Sequence, residues 1–249
     1  MNRAAVLRWA LPAGALFLVF LVLTLPARHV LGWAGGGQLA AQGIEGTPWR
    51  GRVQRIAVQQ SGVGPVVWQL RPAALLLGRL EYQLFVQSGA GGGELRAGRG
   101  LFGAPYVRAA RLSLPAADLA RQLRLNLVSL GGDFLADIDT LRLAGGWPGE
   151  LAGAVRWQGA RLVQPQRMTL GDLHMRLELR GGNIVGVLGD DGGPLELGGE
   201  FTLGQDRRYR LEALLKPRAA ADQPLRDALQ LLGNPDAQGR YRLQYSGVL

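Results

Sequence analysis

The sequence predicts a mainly β protein: one N-terminal transmembrane helix, then an antiparallel β-meander domain with a curved sheet and a few short helices. Three observations predict it. Residues 9–27 carry no charge, with Arg3 and Arg8 before the run and Arg28 after it. Downstream, Asp172 to Arg180 alternates polar and apolar residues without a break. Glycine, 38 of 249 residues, recurs between short apolar alternations, as expected of many turns between strands.

The first element is the anchor. From Leu11 to Leu25 the run holds ten Leu, Val or Phe residues. At about −0.3 to −0.6 kcal/mol each, they favour insertion by roughly 3 to 6 kcal/mol. The run also has the length of a spanning helix. A cleaved signal peptide is the competing reading. Leu25-Pro26-Ala27 puts Leu where a small residue is needed, and Gly32-Trp33-Ala34 lies well beyond the apolar core, so the expectation is an uncleaved anchor. The short basic tail argues for a cytoplasmic N-terminus and an exported domain, although the charge bias is slight. The organisation read from the chain is therefore a tail over 1–8, an anchor over 9–27, a Gly/Ala-rich linker over 28–43 and a β-rich domain over 44–249.

Within the domain, strands are predicted at Val53–Val58, Val66–Leu70 and Leu80–Val86. Ala90–Gly93 reads as a loop, and Leu101–Leu114 as one or two strands. The alternation at Asp172–Arg180 puts Leu173, Met175, Leu177 and Leu179 on one sheet face and the charges on the other. Ile184–Leu188 follows, then Asp190-Asp191-Gly192-Gly193-Pro194, a hairpin signal. Leu195–Leu203, Tyr209–Leu215 and Arg240–Tyr245 complete the meander. Short helices are predicted at Pro72–Leu77, Pro115–Leu125 and Pro224–Leu232. The last has Asp222 as cap, an apolar stripe of Leu225, Leu229 and Leu232, and Gly233 and Pro235 to end it. Leu77–Leu84 echoes Leu170–Leu177, each with a Trp-Gln upstream (Trp68, Trp157). The echo points to two strand units, 44–131 and 132–249, in one continuous sheet.

The composition narrows the chemistry. There is no Cys, which removes disulfides, thiolate nucleophiles and Cys-based metal sites. Two of the 28 basic residues precede the anchor and all 19 acids follow it, leaving 26 against 19, a net +7 on the domain. That balance suits anionic lipid or an acidic partner. Arg108, Arg111, Arg142, Arg156, Arg176 and Arg180 are scattered through alternating stretches, as on solvated strand faces, and Arg207-Arg208-Tyr209-Arg210 sits at a predicted turn. No nucleic-acid partner is expected: the arginines read as a solvated surface rather than a patch with stacking aromatics, and an anchored, exported domain would rarely meet nucleic acid. His29 abuts the anchor and His174 stands on a polar strand face. Asp133, Asp137 and Asp139 fit no calcium loop. Gly35-Gly36-Gly37 and Gly91-Gly92-Gly93 lack the Lys-Ser/Thr of a phosphate loop, and no Ser has a nucleophile-elbow context. The expectation is a non-enzyme with no catalytic, cofactor-binding or metal residues and no cofactor.

The order of motifs resembles the type II secretion system protein N family. The anchor comes first, then Gly46-Thr47-Pro48-Trp49-Arg50-Gly51-Arg52, similar to a Trp-x-Gly segment of that family. Trp68-Gln69-Leu70-Arg71-Pro72 and Leu76-Leu77-Gly78-Arg79-Leu80 follow. The C-terminal blocks are Asp190 to Leu195, Tyr209, Pro217-Arg218, Leu231-Leu232-Gly233, and Asp236 with Gly239-Arg240-Tyr241. The resemblance implies a single-pass inner-membrane protein of a Gram-negative bacterium, with 44–249 in the periplasm, acting as an accessory part of the secretion machine by binding its other inner-membrane components. The domain also looks like AsmA-like envelope proteins, whose sheets curl into apolar grooves, which raises a lipid-binding alternative. The two readings differ at Leu173, Met175, Leu177 and Leu179. Helices should cap that face in an assembly protein and leave it open in a groove protein.

Overall fold

The computed structural model describes residues 27, 40–58, 61–122 and 128–248. Fourteen strands form one antiparallel sheet in which chain neighbours are almost always sheet neighbours. The first half comprises β1 (Ala40–Gly46), β2 (Arg50–Val58), β3 (Ser61–Val63), β4 (Val66–Leu70), β5 (Arg79–Ser88), β6 (Gly91–Gly100) and β7 (Pro105–Pro115). The second comprises β8 (Ser129–Ala144), β9 (Trp147–Gln164), β10 (Met168–Arg180), β11 (Asn183–Asp190), β12 (Leu195–Leu203), β13 (Arg208–Pro217) and β14 (Tyr241–Val248). Thirteen strands lie in one path from β1 to β14, and β3 continues the β2 edge beside β4. The sheet is not closed. The helices are α1 (Pro72–Leu75), α2 (Ala116–Gln122) and α3 (Gln223–Gln230).

The meander and all three short helices agree with the sequence reading, and β4 and β12 match their predicted bounds. Residues 1–26 and 28–39 lie outside the described residues, and so does nearly all of the predicted anchor. Among the described residues no helix is long and apolar enough to cross a membrane. Ala27, the last residue of the anchor run, is buried against Val53, Val66 and Trp68.

Three differences are informative. First, β1 begins at Ala40, inside the stretch read as linker to Gly43, because its small residues pair with β2 from Ala40↔Ala57 onward. Second, Gly91–Gly93 is strand rather than loop. A β-carbon on Gly93 would stand 2.0 Å from the Arg111 carbonyl oxygen, so glycine is what admits β7 this close. Third, the point near Gly131-Gly132 lies not in a connection but inside β8, at a register shift between Gly131 and Asp133, while the sheet is continuous from β7 to β9 as expected.

Packing is thin, as one layer requires. Val53, Val66 and Trp68 make one core cluster with Ile44, Tyr82, Leu84 and Val86 around it. Leu195, Leu225 and Leu229 make the other, with Met168, Leu170, Leu215, Ala221 and Tyr241. The second cluster is α3 docked on one end of the sheet. Asp222 caps that helix as predicted, its Oδ1 accepting from Leu225 N at 3.0 Å.

Candidate functional site: an open apolar sheet face

Directly opposed residues of antiparallel strands share a face. Leu177 on β10 is opposed by Gly153 on β9 and Gly186 on β11, and Met175 by Val155 and Leu188. Toward β14 the same face continues through Ile184, Phe201 opposite Gly186, Leu211 opposite Phe201, and Tyr245 opposite Leu211. Toward β1 it continues through Trp157 opposite Phe134, Phe134 opposite Leu114, and Leu112 opposite Gly93. It ends with Leu84 opposite Trp68 and Val53 opposite Ile44. Register shifts at Ala109 on β7 and between Ile138 and Thr140 on β8 do not break the face. Beyond them Val107 opposes Leu141, which opposes Leu151. One apolar surface thus crosses thirteen strands, roughly 60 Å at about 4.8 Å per strand.

The reverse face is mainly polar, with isolated apolar residues such as Val67 opposite Phe85 and Val187 opposite Glu200. Arg111 opposes Glu94 and Asp137, His174 opposes Arg156, and Glu200 opposes Glu212. Arg180 bridges Glu178 and Glu200 along it.

The apolar face is covered only in part. At one end α3 buries Leu195 and half-buries Met168, Leu170, Leu215 and Tyr241. At the β1 side Ala27 packs against Val53 and Trp68. Between them Leu173, Met175, Leu177 and Leu179 are half-buried too, but belong to neither cluster. Phe134 stacks on Trp157 with ring centroids 5.0 Å apart, and Tyr209 lies 6.3 Å from Phe201 and 6.0 Å from Tyr245. Glycine lets neighbouring side chains lie flat on the sheet: a β-carbon on Gly186 would stand 2.6 Å from Met175 Sδ, and one on Gly153 2.8 Å from Ile138 Cδ1.

Two carboxylates lock the sheet. Asp190 Oδ1 accepts from Arg218 Nη1 at 2.6 Å and from Gly192 N, while Oδ2 accepts from Leu197 N at 2.9 Å. Burial opposes its charge, but Arg218 and the two amides outweigh burial and hold its pKa below the ordinary carboxylate value. Glu81, 7% exposed, takes Arg71 Nη1 at 2.6 Å and the Tyr106 hydroxyl at 2.9 Å. Burial again raises its pKa, and the Tyr106 and Arg71 hydrogen bonds bring the net shift below the ordinary value. From the sequence alone Asp190 reads as turn chemistry, and Glu81 does not stand out. The Pro217-Arg218 block was the available signal for the first. An acid in a strand of apolar and aromatic neighbours was the signal for the second.

The other residues considered from the sequence do not converge. Asp133, Asp137 and Asp139 are exposed and spread along β8. Among the described residues no three His, Asp or Glu side chains are placed to hold a metal ion. His174 is half-buried, and its Nδ1 lies 2.9 Å from Asp191 Oδ1 but off the line of a ring N–H hydrogen bond. His29 lies outside the described residues.

The fold and the face define a class: a single antiparallel meander sheet with one long apolar face, covered at one end by a short helix. Residues 37–244 match the family model described as type II secretion system (T2SS), protein N. The chain belongs to that family. It is 29% identical over 247 residues to the type II secretion system protein N of Aeromonas hydrophila, covering 94% of this chain and 96% of the relative. It is 30% identical over 226 residues to that of Vibrio cholerae serotype O1, covering 85% of each. The protein of the same name from Klebsiella pneumoniae is 27% identical over 237 residues. No solved structure matches the chain significantly.

Proposed function

We propose that this chain is an accessory inner-membrane component of the type II secretion machinery. Residues 9–27 anchor it, residues 44–249 stand in the periplasm, and the open sheet face holds lipid acyl chains or another apolar ligand. The observation that carries the reading is that Leu173, Met175, Leu177 and Leu179 belong to neither core cluster, on a face that α3 covers only at one end. An assembly protein would have that strip capped. Burial of Ala27 on the same face supports a continuous path from the anchor run to the strip. The chain contributes an apolar bed and aromatic planes, and binding follows from removing acyl surface from water, about 25 cal/mol per Å².

A photo-crosslinking residue at Leu177 in cells tests this. Crosslinks to lipid at position 177 and none at neighbouring Glu178 are expected. Crosslinks to protein alone at 177 would reverse the assignment.

A second reading has its own support: contact with other inner-membrane components of the secretion system through strand edges and the basic polar face. β14 ends the sheet with no neighbouring strand among the described residues, and such an edge can pair with another chain. The excess of basic residues favours an acidic partner. Capture through that face weakens with salt, whereas capture by the apolar strip persists.

A further inference from the structure

We propose that the turns following α1 and β6 form a tip that dips into the headgroup layer of an anionic bilayer, a contact additional to the anchor and to the apolar strip. Leu76 and Leu77 in the first turn are 89% and 71% exposed, and Leu101 and Phe102 in the second are 78% and 104% exposed. The two turns come from different strand connections and are tied together, Leu101 N donating to Gly78 O at 3.0 Å. Leu75 and Leu80 extend the patch at its base. Single exposed leucines need no explanation, but a contiguous group at a protruding turn does.

The collar around the tip identifies the occupant. Residues 70–81 and 95–108 hold Arg71, Arg79, Arg96, Arg99 and Arg108 against one acid, Glu81, which Arg71 and Tyr106 already occupy. Apolar side chains in front with guanidinium groups behind them match the acyl boundary and the phosphates of a bilayer. A fluid bilayer also receives a convex tip without a complementary hollow, which a protein partner would have to supply.

The geometry permits the contact. The tip lies at the opposite end of the strands from Ala40, where the chain enters β1. Ala27, the last residue of the anchor run, packs against Trp68, two residues before the end of β4, the strand that leads into α1 and the first turn. The end of the run therefore lies toward the tip's end of the sheet. The inference rests on the membrane reading of that run.

The test uses the full chain, which has no native Cys. Phe102→Cys is labelled with the environment-sensitive dye NBD and the protein placed in nanodiscs of phosphatidylethanolamine and phosphatidylglycerol. Gln166→Cys, exposed at the other end of the sheet, is the reference. The expected result is a blue-shifted emission and loss of iodide quenching at position 102 alone. Both should diminish in phosphatidylcholine nanodiscs and disappear when Leu76, Leu77 and Leu101 are changed to Ser. Equal quenching at 102 and 166 overturns the proposal. So does a shift of equal size in neutral lipid, or one that appears only with more than one copy per disc, which would be self-contact. Failure of the chain to stay with nanodiscs at all would instead sink the anchor reading.

Discussion

Asp190, at the end of β11, is clamped by Arg218, just beyond β13, with 2.6 Å between Oδ1 and Nη1. The pair crosses the whole β12 connection and fixes the loop that leads into α3. Arg226 of α3 reinforces it by donating to the Arg218 carbonyl at 3.1 Å. The end cap of the apolar face therefore depends on one buried carboxylate.

That dependence has a pH signature. The folded pKa of Asp190 lies below its ordinary value of 3.8. Its contribution is complete above that value and is lost as pH falls through the folded pKa. Arg218→Met should lower the melting temperature near neutral pH, and the gap from wild type should narrow as pH falls below 3.8, where protonation of Asp190 removes the charge that Arg218 pairs. Thermal melts across pH check this, and a gap that widens in acid would contradict it.

Glu81 supplies the matching test at the other end of the sheet. Tyr106→Phe removes the hydroxyl that Glu81 accepts from while keeping the ring. A hydrogen bond to a charged group is worth about 1.5–3 kcal/mol. A loss of that order in urea unfolding is expected, and Ser113→Ala, at an exposed site, should cost little.

The α3 cap is a conventional core. Leu225 is 2% exposed, and Leu225→Ala should cost about 2–5 kcal/mol. That is a large part of a total stability of roughly 5–15 kcal/mol. The same truncation at Leu231, 88% exposed, should leave the denaturation midpoint within error.

Leu177→Asp separates burial from binding. The alternation at 172–180 correctly put Leu177 opposite the charges, and on a buried face that substitution would unfold the domain. Here Leu177 is half-exposed between Gly153 and Gly186. The carboxylate keeps its water, the fold survives, and apolar-ligand capture is what falls. Circular dichroism alongside ligand recovery checks both halves.

Much of this fold is legible in the sequence wherever the period of two is unbroken. β10 and β12 follow directly from it, and α3 from its cap, stripe and terminators. The longest strands, β8 and β9, were not legible. Register shifts near Gly131, Ile138 and Arg142 break the alternation, and Gly and Ala stand where large apolar residues would mark a face. β1 reads as linker for the same reason. The site was half legible. The strip from Leu173 to Leu179 could be placed on one face, but its extension across thirteen strands depends on pairing, which no single segment encodes. The locks are tertiary too: Asp190 and Arg218 are 28 residues apart in sequence, and Glu81 and Tyr106 are 25 apart.

The most direct measurement of the central claim is the lipid content of the full chain. It would be extracted from membranes, washed at high salt and analysed by native mass spectrometry beside Leu177→Asp. Lipid that stays bound to wild type through the salt wash and is lost from the variant, with both folded, is the predicted result. Wild type free of lipid, or lipid bound equally by the two, would contradict an acyl-holding sheet face.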